Sequence, residues 1–496
     1  MMTAILKHVP PDGLAAFRRR CAAWSCTGKV GEWRSACCFF LFCALTAITT
    51  PAQTFTILVN FDNTNGARPA APPVQGLDGQ FYGTTTDGGT NALGTVFKIT
   101  SAGQLTTLYN FCSLDKCGDG AGPSAGLLLA SDGDFYGTTI DGGGHGDGEV
   151  FKISSTGKFT RLGSFRGASH SEGAYPSGAL IQGTDGDFYG TTGGGGPSRS
   201  GTIFTMTPQG KLTTLYGFCA QNNCDDGAEP EAGLVEAANG NFYGTTVLGG
   251  AEGKGTVFGI TPAGKLTTLY SFCSQTNCTD GANPYAGLVQ ATNGDLYGTT
   301  FGGGANGEGT VFKITYRGKL TTLYSFCSQT NCADGSGPTG LVQGTGGNLY
   351  GATGGGTEKD GGTAFEMTPE GQLTTLYGFD HFAATGLTQG TDGKFYGTSF
   401  GGGTNDNGTV FSLAVGFGPF VETLPASGKV GATVTILGTK LTGATSVSFN
   451  GTPATFTVVS SSEITTTVPT GATTGRVRVT TPSHDISTNV PFRVIE

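Results

Sequence analysis

Residues 265–315 read KLTTLYSFCSQTNCTDGANPYAGLVQATNGDLYGTTFGGGANGEGTVFKIT, and the pattern of this segment predicts the fold. It contains four runs rich in Thr, Val, Tyr and Phe, namely LTTLYSF, AGLVQ, LYGTT and GTVFKIT, with Gly, Asn and Asp between them. Runs of this composition bounded by turn residues predict β-strands. The pair Asn293-Gly294, between AGLVQ and LYGTT, predicts a two-residue hairpin, because both residues tolerate positive φ. These two strands are therefore expected to be antiparallel neighbours.

The same unit occurs seven times along the chain, at intervals of 46 to 54 residues. Each copy is marked by a Tyr-Gly dipeptide, whose tyrosines are Tyr82, Tyr136, Tyr189, Tyr243, Tyr297, Tyr350 and Tyr396. Seven units of four strands predict an all-β fold, a seven-bladed β-propeller with four antiparallel strands per blade, over residues 53–415. The chain begins with a lone fourth strand, FTILVNF at residues 55–61, and its last copy lacks one. We therefore expect the N-terminal strand to complete the seventh blade.

The longer, Gly-rich loops are predicted at one end of the strands. Short turns connect the first strand of each unit to the second and the third to the fourth, so the two longer loops fall together at the opposite ends. We call these two ends the turn face and the loop face. Because binding residues concentrate on loops held by a rigid scaffold, the loop face is the predicted binding surface.

Eight cysteines lie beyond residue 52, and all of them stand in loops between a fourth strand and the next first strand. They form C-x4-C pairs, which are Cys112 and Cys117, Cys219 and Cys224, Cys273 and Cys278, and Cys327 and Cys332. The other three units lack both members, as expected of bonded partners. In an exported protein this pattern favours local disulfides; zinc is the alternative, although no His accompanies any pair.

Acidic residues in the same loops are the candidate binding groups. Two residues after each second cysteine stands an Asp followed by Gly, and these are Asp119, Asp226, Asp280 and Asp334. The pattern is typical of a turn, and a ring of carboxylates holding Ca²⁺ is the alternative. His145 and Asp147, in a Gly-rich loop of the second unit, are the other candidates. No catalytic residue or cofactor other than Ca²⁺ is predicted, because the G-x-S-x-G match at residues 397–401 falls within a strand.

Residues 1–52 differ from the rest of the chain. A basic segment precedes a 13-residue apolar run at residues 36–48 and the sequence Thr-Pro-Ala at 50–52. This order predicts a cleaved signal peptide, since a membrane-spanning helix needs about 20 apolar residues. Its removal leaves 21 basic and 34 acidic residues and no membrane span. Nucleic acid is excluded as an expected partner, because no basic patch remains to neutralise phosphates.

Beyond the repeats, residues 419–496 alternate apolar and polar positions around turns such as Asn450-Gly451, which predicts a small antiparallel sandwich. This segment resembles the IPT/TIG immunoglobulin-like domain, a module of bacterial surface and secreted proteins. The repeats, through FYGTT, GTVFKIT and LTTLYSF, resemble the Gloeobacter/Verrucomicrobia (GloVer) tandem repeat of exported bacterial proteins. The resemblance implies a secreted or cell-surface location and carries over no catalytic residue.

Three functions are compatible with this sequence. The leading hypothesis is a non-enzymatic secreted or cell-surface binding and adhesion protein, whose propeller loop face binds a glycan or another extracellular ligand. The alternatives are an exported polysaccharide-active enzyme, a lyase or hydrolase with its site at the propeller axis, and a purely structural extracellular protein. The partner is expected to be an extracellular glycan or protein, and the oligomeric state stays open.

Overall fold

The computed structural model describes residues 53–167, 171–356, 361–380 and 384–495. The predicted signal peptide lies outside the described residues. The described chain is built almost entirely of β-strands. Short 3-10 turns lie in four loops, at Asp115–Cys117, Asn222–Cys224, Thr276–Cys278 and Thr330–Cys332.

Seven four-stranded antiparallel sheets follow one another through the repeats, and we number them sheets 1 to 7. Sheet 1 contains β2 (Val74–Gln75), β3 (Phe81–Thr85), β4 (Thr95–Ile99) and β5 (Leu105–Asn110), and sheet 2 contains β6 (Leu128–Leu129), β7 (Phe135–Thr139), β8 (Glu149–Ile153) and β9 (Phe159–Ser164). Sheet 3 contains β11 (Ile181–Gln182), β12 (Phe188–Thr192), β14 (Thr202–Met206) and β15 (Leu212–Gly217), beside the small ladder of β10 (Gly173–Ala174) and β13 (Gly194–Gly195). Sheet 4 contains β16 (Val235–Glu236), β17 (Phe242–Thr246), β18 (Thr256–Ile260) and β19 (Leu266–Ser271).

The remaining repeat sheets have the same strand order. Sheet 5 contains β20 (Val289–Gln290), β21 (Leu296–Thr300), β22 (Thr310–Ile314) and β23 (Leu320–Ser325), and sheet 6 contains β24 (Ser336–Gln343), β25 (Leu349–Gly355), β26 (Thr363–Met367) and β27 (Leu373–Gly378). Sheet 7 contains β28 (Ala384–Gln389), β29 (Phe395–Ser399), β30 (Thr409–Ala414) and β1 (Thr54–Asn60). The prediction that the N-terminal strand completes the seventh unit is confirmed, because β1 pairs antiparallel with β30.

The first five residues of each second strand are buried, which explains why FYGTT shows no alternation. Its glycine makes room for the third strand. A Cβ at Gly83 would lie 2.5 Å from the ring of Phe97, so a larger residue there would displace that buried side chain. The Tyr-Gly dipeptide is therefore a packing feature of the repeat.

Neighbouring sheets pack face to face through apolar side chains. In five of these contacts the Tyr of one sheet stacks on the Phe that begins the next second strand, as in Tyr82 on Phe135, with ring centroids 4.1 Å apart. Tyr243 and Tyr297 instead share buried clusters with Leu296 and Leu349. The stacked contact also joins sheet 7 to sheet 1, where Tyr396 and Phe81 have centroids 3.8 Å apart. Apolar contacts therefore join consecutive sheets, and the last sheet contacts the first.

The C-terminal region is a small sandwich, as predicted. One sheet contains β31 (Glu422–Leu424), β33 (Thr433–Leu437), β37 (Glu463–Thr467) and β36 (Phe456–Val458), and the other contains β35 (Thr452–Ala454), β34 (Ser446–Phe449), β38 (Val477–Thr480) and β39 (Asp485–Ser487). A parallel pair, β32 (Ser427–Lys429) and β40 (Arg493–Ile495), completes it. Ile436, Val447, Phe449 and Ile464 are fully or almost fully buried between the sheets and form the centre of its core.

Candidate functional site

All four predicted disulfides are present, and each closes a loop beside a 3-10 turn. Asp280 follows one such loop, two residues after Cys278, and is fully buried. Its carboxylate accepts hydrogen bonds from the Tyr270 hydroxyl (2.7 Å), from the Ser274 N–H and hydroxyl (3.0 and 2.9 Å) and from the Gln275 N–H (3.3 Å). The three other loops repeat this arrangement around Asp119, Asp226 and Asp334.

These aspartates order the disulfide loops by accepting hydrogen bonds from groups in each loop. Burial raises the pKa of Asp119 and its hydrogen bonds lower it, and the net pKa lies below the ordinary value of a carboxyl. The four side chains are buried, so solvent does not reach them in this conformation. Among the described residues, no group of three or more His, Cys, Asp or Glu is placed to hold a metal ion. A binding role for these aspartates stays a prediction.

His145 and Asp147 lie in the loop between β7 and β8. His145 is exposed, and Asp147 is half-buried. The Asp147 carbonyl accepts a hydrogen bond from the Tyr175 N–H of the next unit (3.0 Å), and its carboxylate lies against the backbone of Gly167. Asp147 therefore belongs to the contact between sheets 2 and 3, and His145 is an exposed residue of the same loop.

One residue of each unit links its own sheet to the preceding one at the loop face, and we call these the junction residues. They precede a proline and are Arg68, Gly122, Tyr175, Glu229, Asn283 and Gly337 in the six units that the structure describes at this point. The Asn283 N–H donates to the Lys254 carbonyl of the preceding unit (2.8 Å), and its carbonyl accepts from Phe301 of its own unit (3.0 Å).

The junction residues all have positive φ. This backbone suits Gly and Asn, but it is strained for Arg68, Tyr175 and Glu229, with φ between 55° and 59°. Such strain is kept where the surrounding structure imposes it, and it concentrates at functional sites. The larger side chains at strained junction positions therefore indicate that the loop face is a candidate functional surface.

Four aromatic side chains are half exposed in this region. Tyr175 is itself a junction residue, Tyr285 lies two residues after one, and Phe301 and Phe400 directly follow the second strands of sheets 5 and 7. The Arg68 guanidinium lies 5.7 Å from the centre of the Phe400 ring. These aromatic residues were not predicted from the sequence, although aligning the seven units shows that each departs from a small residue in other copies.

The turn face carries the C-terminal sandwich. The Ser462 hydroxyl donates to the Leu77 carbonyl (2.6 Å), and the hydroxyls of Thr391 and Thr439 are 2.7 Å apart. Leu77 and Thr391 stand in the turns between first and second strands of sheets 1 and 7. This contact was also missed in the sequence, because nothing in residues 416–419 distinguishes a free linker from a docked one.

Equivalent side chains at the end of the first strands form a row at this face. The position is occupied by Gln75, Leu129, Gln182, Glu236, Gln290, Gln343 and Gln389. Where it is Gln, the side-chain oxygen accepts a backbone N–H from the turn of the preceding sheet, as Gln75 does from Thr391 (2.8 Å). The Gln residues of this row thus hold neighbouring sheets together at the end of their first strands.

The two positions of this row that lack Gln, Leu129 and Glu236, face the sandwich. Leu129 belongs to a buried cluster against which Leu424 of the sandwich packs. Glu236 lies 3.5 Å from the Arg493 guanidinium, which also donates to the Ala238 carbonyl (2.8 Å). These departures are therefore explained by docking of the sandwich.

A cavity of about 700 Å³ lies between the first strands of sheets 3 to 5 and the sandwich. Gln182, Glu236, Gln290 and Arg493 are among its polar lining residues. The volume suits a small ligand. However, the side-chain oxygens of Gln182 and Gln290 already accept backbone N–H groups of neighbouring sheets, at 2.9 and 3.0 Å. These amides hold the sheets together, so the cavity offers few polar groups for recognition.

Hydroxyl pairs link the second and third strands at the loop end of the sheets, and one sheet lacks such a pair. The pairs are Thr85 and Thr95, Thr192 and Thr202, Thr246 and Thr256, Thr300 and Thr310, Thr353 and Thr363, and Ser399 and Thr409, with oxygens 2.8 to 3.0 Å apart. Ser399, the serine of the G-x-S-x-G match, is thus a buried structural residue. In sheet 2 the third-strand position is Glu149.

Glu149 is fully buried, and neither of its carboxyl oxygens has a hydrogen-bond partner in the described part of the chain. Burial raises the pKa of this carboxyl to about 8, against the attraction of Arg161 and with a further rise from Asp119. Arg161 also replaces a threonine of the other units, and it donates to the Gly118 carbonyl (2.9 Å). Sheet 2 therefore differs from the other repeat sheets by carrying an acidic residue, Glu149, and a basic residue, Arg161, at these two positions.

Comparison with known families agrees with this repeated architecture. The model of the Gloeobacter/Verrucomicrobia repeat matches residues 44–235 and 218–411, which is most of the chain. The chain belongs to the Gloeobacter/Verrucomicrobia repeat family. Residues 420–494 match the IPT/TIG domain, so the C-terminal sandwich is a domain of that immunoglobulin-like type. No curated protein sequence matches this family member significantly.

Several solved structures resemble this Gloeobacter/Verrucomicrobia repeat protein in fold. A fungal alcohol oxidase of the AA5 family, in complex with copper, is 13% identical with a TM-score of 0.50, covering 89% of this chain and 99% of its own. A puromycin-hydrolysing peptidase of Mycobacterium tuberculosis is 12% identical with a TM-score of 0.45, covering 76% of this chain and 59% of its own. At such identities the likeness to the oxidase concerns the fold alone.

Within the described ranges, no helix is long and apolar enough to cross a bilayer.

Proposed function

We propose that the seven repeat sheets form a seven-bladed β-propeller whose loop face binds an extracellular glycan or other extracellular ligand, without catalysis. The propeller arrangement is supported by the contact of sheet 7 with sheet 1 and by the pairing of β1 with β30. The likeness in fold to the alcohol oxidase over nearly the whole chain is compatible with it. The C-terminal IPT/TIG domain then closes the turn face of the ring.

One observation carries the binding proposal. The departures from the repeat on the turn face, Leu129 and Glu236, are matched by residues of the IPT/TIG domain. Several departures on the loop face, among them Tyr175 and Phe400, are aromatic and half exposed. Because exposed aromatic side chains on loops mark interaction sites, the loop face is the surface left for a ligand.

The proposed location is the cell exterior, either secreted or on the cell surface. Four disulfides and an IPT/TIG domain fit that location. Disulfides persist in oxidising compartments and are rare in the cytosol. We propose that the loop face serves adhesion to an extracellular polymer or its retention.

The experiment is a binding screen on the oxidised protein from residue 53 onward. Wild type is applied to a glycan array and to immobilised extracellular proteins, beside the variant Tyr175→Gly/Phe400→Gly and the turn-face control Glu236→Gln. The substituted residues occur at equivalent positions of other units, so the fold is expected to persist. Binding by wild type and by the control, with loss in the loop-face variant, supports the proposal. Binding unaffected by the loop-face variant, or release of cleaved sugars from a bound polysaccharide, would overturn it.

A further inference from the structure

Tyr285 and Phe301 form an aromatic corner on the loop face of sheet 5. Their ring centroids are 5.7 Å apart and their planes meet at 80°. Each side chain is 52% exposed. Edge-to-face packing holds the two rings in a defined orientation and still leaves ring surface of both in solvent.

The backbone around this corner is rigid. Asn283, two residues before Tyr285, is fixed by three hydrogen bonds: its N–H donates to Lys254 (2.8 Å), its carbonyl accepts from Phe301 (3.0 Å), and its side-chain amide donates to Val247 (3.1 Å). Both rings therefore project from a backbone that is already ordered. A platform that is ordered before binding loses little conformational entropy when a ligand arrives.

A glycine lets the corner pack against the next unit. Gly337 is the junction residue of the next unit, and a Cβ there would lie 2.8 Å from the Phe301 ring. Its φ of 57° suits glycine as well. The other junction residues include Arg68, Tyr175 and Glu229, so a side chain is accommodated at this position in other units. The Phe301 ring therefore occupies the space that a side chain at residue 337 would take, while 52% of the Phe301 side chain stays exposed.

The size of the corner favours a small repeating ligand over a protein surface. A stable protein interface buries about 800 Å² on each partner around an apolar centre of several side chains. Two rings surrounded by Gly, Asn and backbone groups provide much less apolar surface. A sugar unit fits this size, because its C–H face packs on an aromatic ring while its hydroxyls bond to neighbouring polar groups.

The charge of the protein selects among polysaccharides. The whole chain carries a formal net charge of −9 at pH 7. Like charges repel, so an anionic polymer is disfavoured at low ionic strength. The corner itself contains only uncharged side chains, Tyr285, Phe301 and the adjoining Asn283.

We propose that Tyr285 and Phe301 form a stacking subsite for one sugar unit of a neutral polysaccharide. This inference rests on the proposed binding function of the loop face, and it names the ligand class and the contact. The chain is bound by packing of its sugar faces, with no bond made or broken.

The test uses variants that copy other units of the same protein. Tyr285→Ser introduces the residue found at the equivalent Ser124 and Ser177, and Phe301→Thr introduces that of Thr86. Both changes replace exposed rings by residues that the repeat backbone already accepts. The matched control is Leu114→Gln, which removes another exposed apolar side chain and introduces the residue of Gln275.

Retardation is measured by native electrophoresis in gels containing either neutral polysaccharides (a β-glucan, a galactomannan and a xylan) or anionic ones (alginate and polygalacturonate). We expect retardation of wild type and of the Leu114→Gln control by at least one neutral polymer, and at least a tenfold weaker apparent affinity in the double variant. Aromatic stacking that contributes about 1.4 kcal/mol corresponds to that factor.

The outcomes separate this inference from the proposed function. Retardation that persists in the double variant, or that occurs only with anionic polymers, overturns the subsite and leaves loop-face binding standing. Capture by an immobilised protein without retardation by any polysaccharide overturns the ligand class alone. Wild type that binds no polysaccharide, no arrayed glycan and no immobilised protein overturns both proposals.

Discussion

Replacing Glu149 and Arg161 together by threonine is expected to stabilise the protein at neutral pH. Five of the other six sheets carry threonine at both positions. In sheet 2 the Glu149 carboxyl is fully buried without a hydrogen-bond partner among the described residues. Threonine would restore the hydroxyl pair with Thr139 and remove an ionisable group from a site that does not solvate it.

The size of the effect follows from the pKa of Glu149. The folded value is about 8, against 4.5 for an unperturbed glutamate. The unfolded chain releases the proton near pH 4.5, whereas the folded protein retains it until about pH 8. Between these values the folded state binds more protons, so its stability falls as pH rises. At 1.36 kcal/mol per pKa unit, the loss accumulated at pH 7 is about 3 kcal/mol.

The assay is urea unfolding of oxidised wild type and of Glu149→Thr/Arg161→Thr at pH 4.5, 5.5, 7 and 8. Other titrating groups are shared, so the difference between the two proteins isolates this pair. We expect a difference in unfolding free energy that grows by about 3 kcal/mol between pH 4.5 and 7. Arg161→Thr alone, which removes the nearby positive charge, is expected to raise the pKa of Glu149 further and so to extend the pH dependence of stability to higher pH than in wild type.

A stability difference that does not change between pH 4.5 and 8 would contradict this prediction. It would mean that Glu149 is ionised in the folded protein and stabilised by Arg161 as an ion pair. In that case Glu149→Gln would be less stable than wild type at neutral pH, because breaking a buried pair leaves the Arg161 charge uncompensated.

Three further outcomes are expected. Deleting residues 53–66 removes β1 and should cost about 5 kcal/mol or more of stability, since buried Val and Phe side chains are lost with it; an unchanged melting temperature would contradict the pairing with β30. Asp280→Asn should destabilise the protein by about 1–3 kcal/mol through lost acceptors, whereas the exposed Asp225→Asn should be neutral; equal effects on urea unfolding would exclude the organising role. Arg493→Ala should increase amide hydrogen exchange around Glu236, and unchanged exchange would argue against docking of the sandwich.

Much of the fold could be predicted because its signals are local. The hairpin at Asn293-Gly294 and the pairing of the N-terminal strand follow from turn chemistry and from counting strands. The C-x4-C disulfides follow from spacing and from their joint absence in other units. Docking of the IPT/TIG domain could not be predicted in this way, because Arg493 and Glu236 are far apart in sequence and an ion pair leaves no periodic pattern.

The candidate site was harder to predict, because a sequence motif is recognised by the residues that the copies share. Asp119 and its equivalents attracted attention as a repeated acidic residue, yet repetition here reflects the same turn built four times. Tyr occurs once at the position of Tyr285, and Phe occurs at only two units at the position of Phe301, the other being Phe400, so neither is a motif that the copies share. Their exposure and their mutual contact became visible only in three dimensions.

A tandem repeat offers its own test of which departures concern function. In four units the tyrosine of the second strand donates to an Asp of the preceding turn, as Tyr82 does to Asp78 (2.8 Å). In the sixth unit Gly346 stands in place of this Asp, and Glu366 accepts the hydrogen bond of the Tyr350 hydroxyl (2.6 Å), so the departure is compensated within the fold. Glu236 is compensated by Arg493 of the docked domain. Phe301 is compensated by neither route, since half of its surface remains in solvent. A substitution that the fold does not need and that no other domain contacts exposes apolar surface at a cost in solubility. We infer that such a residue serves ligand binding, which the loop-face variants test.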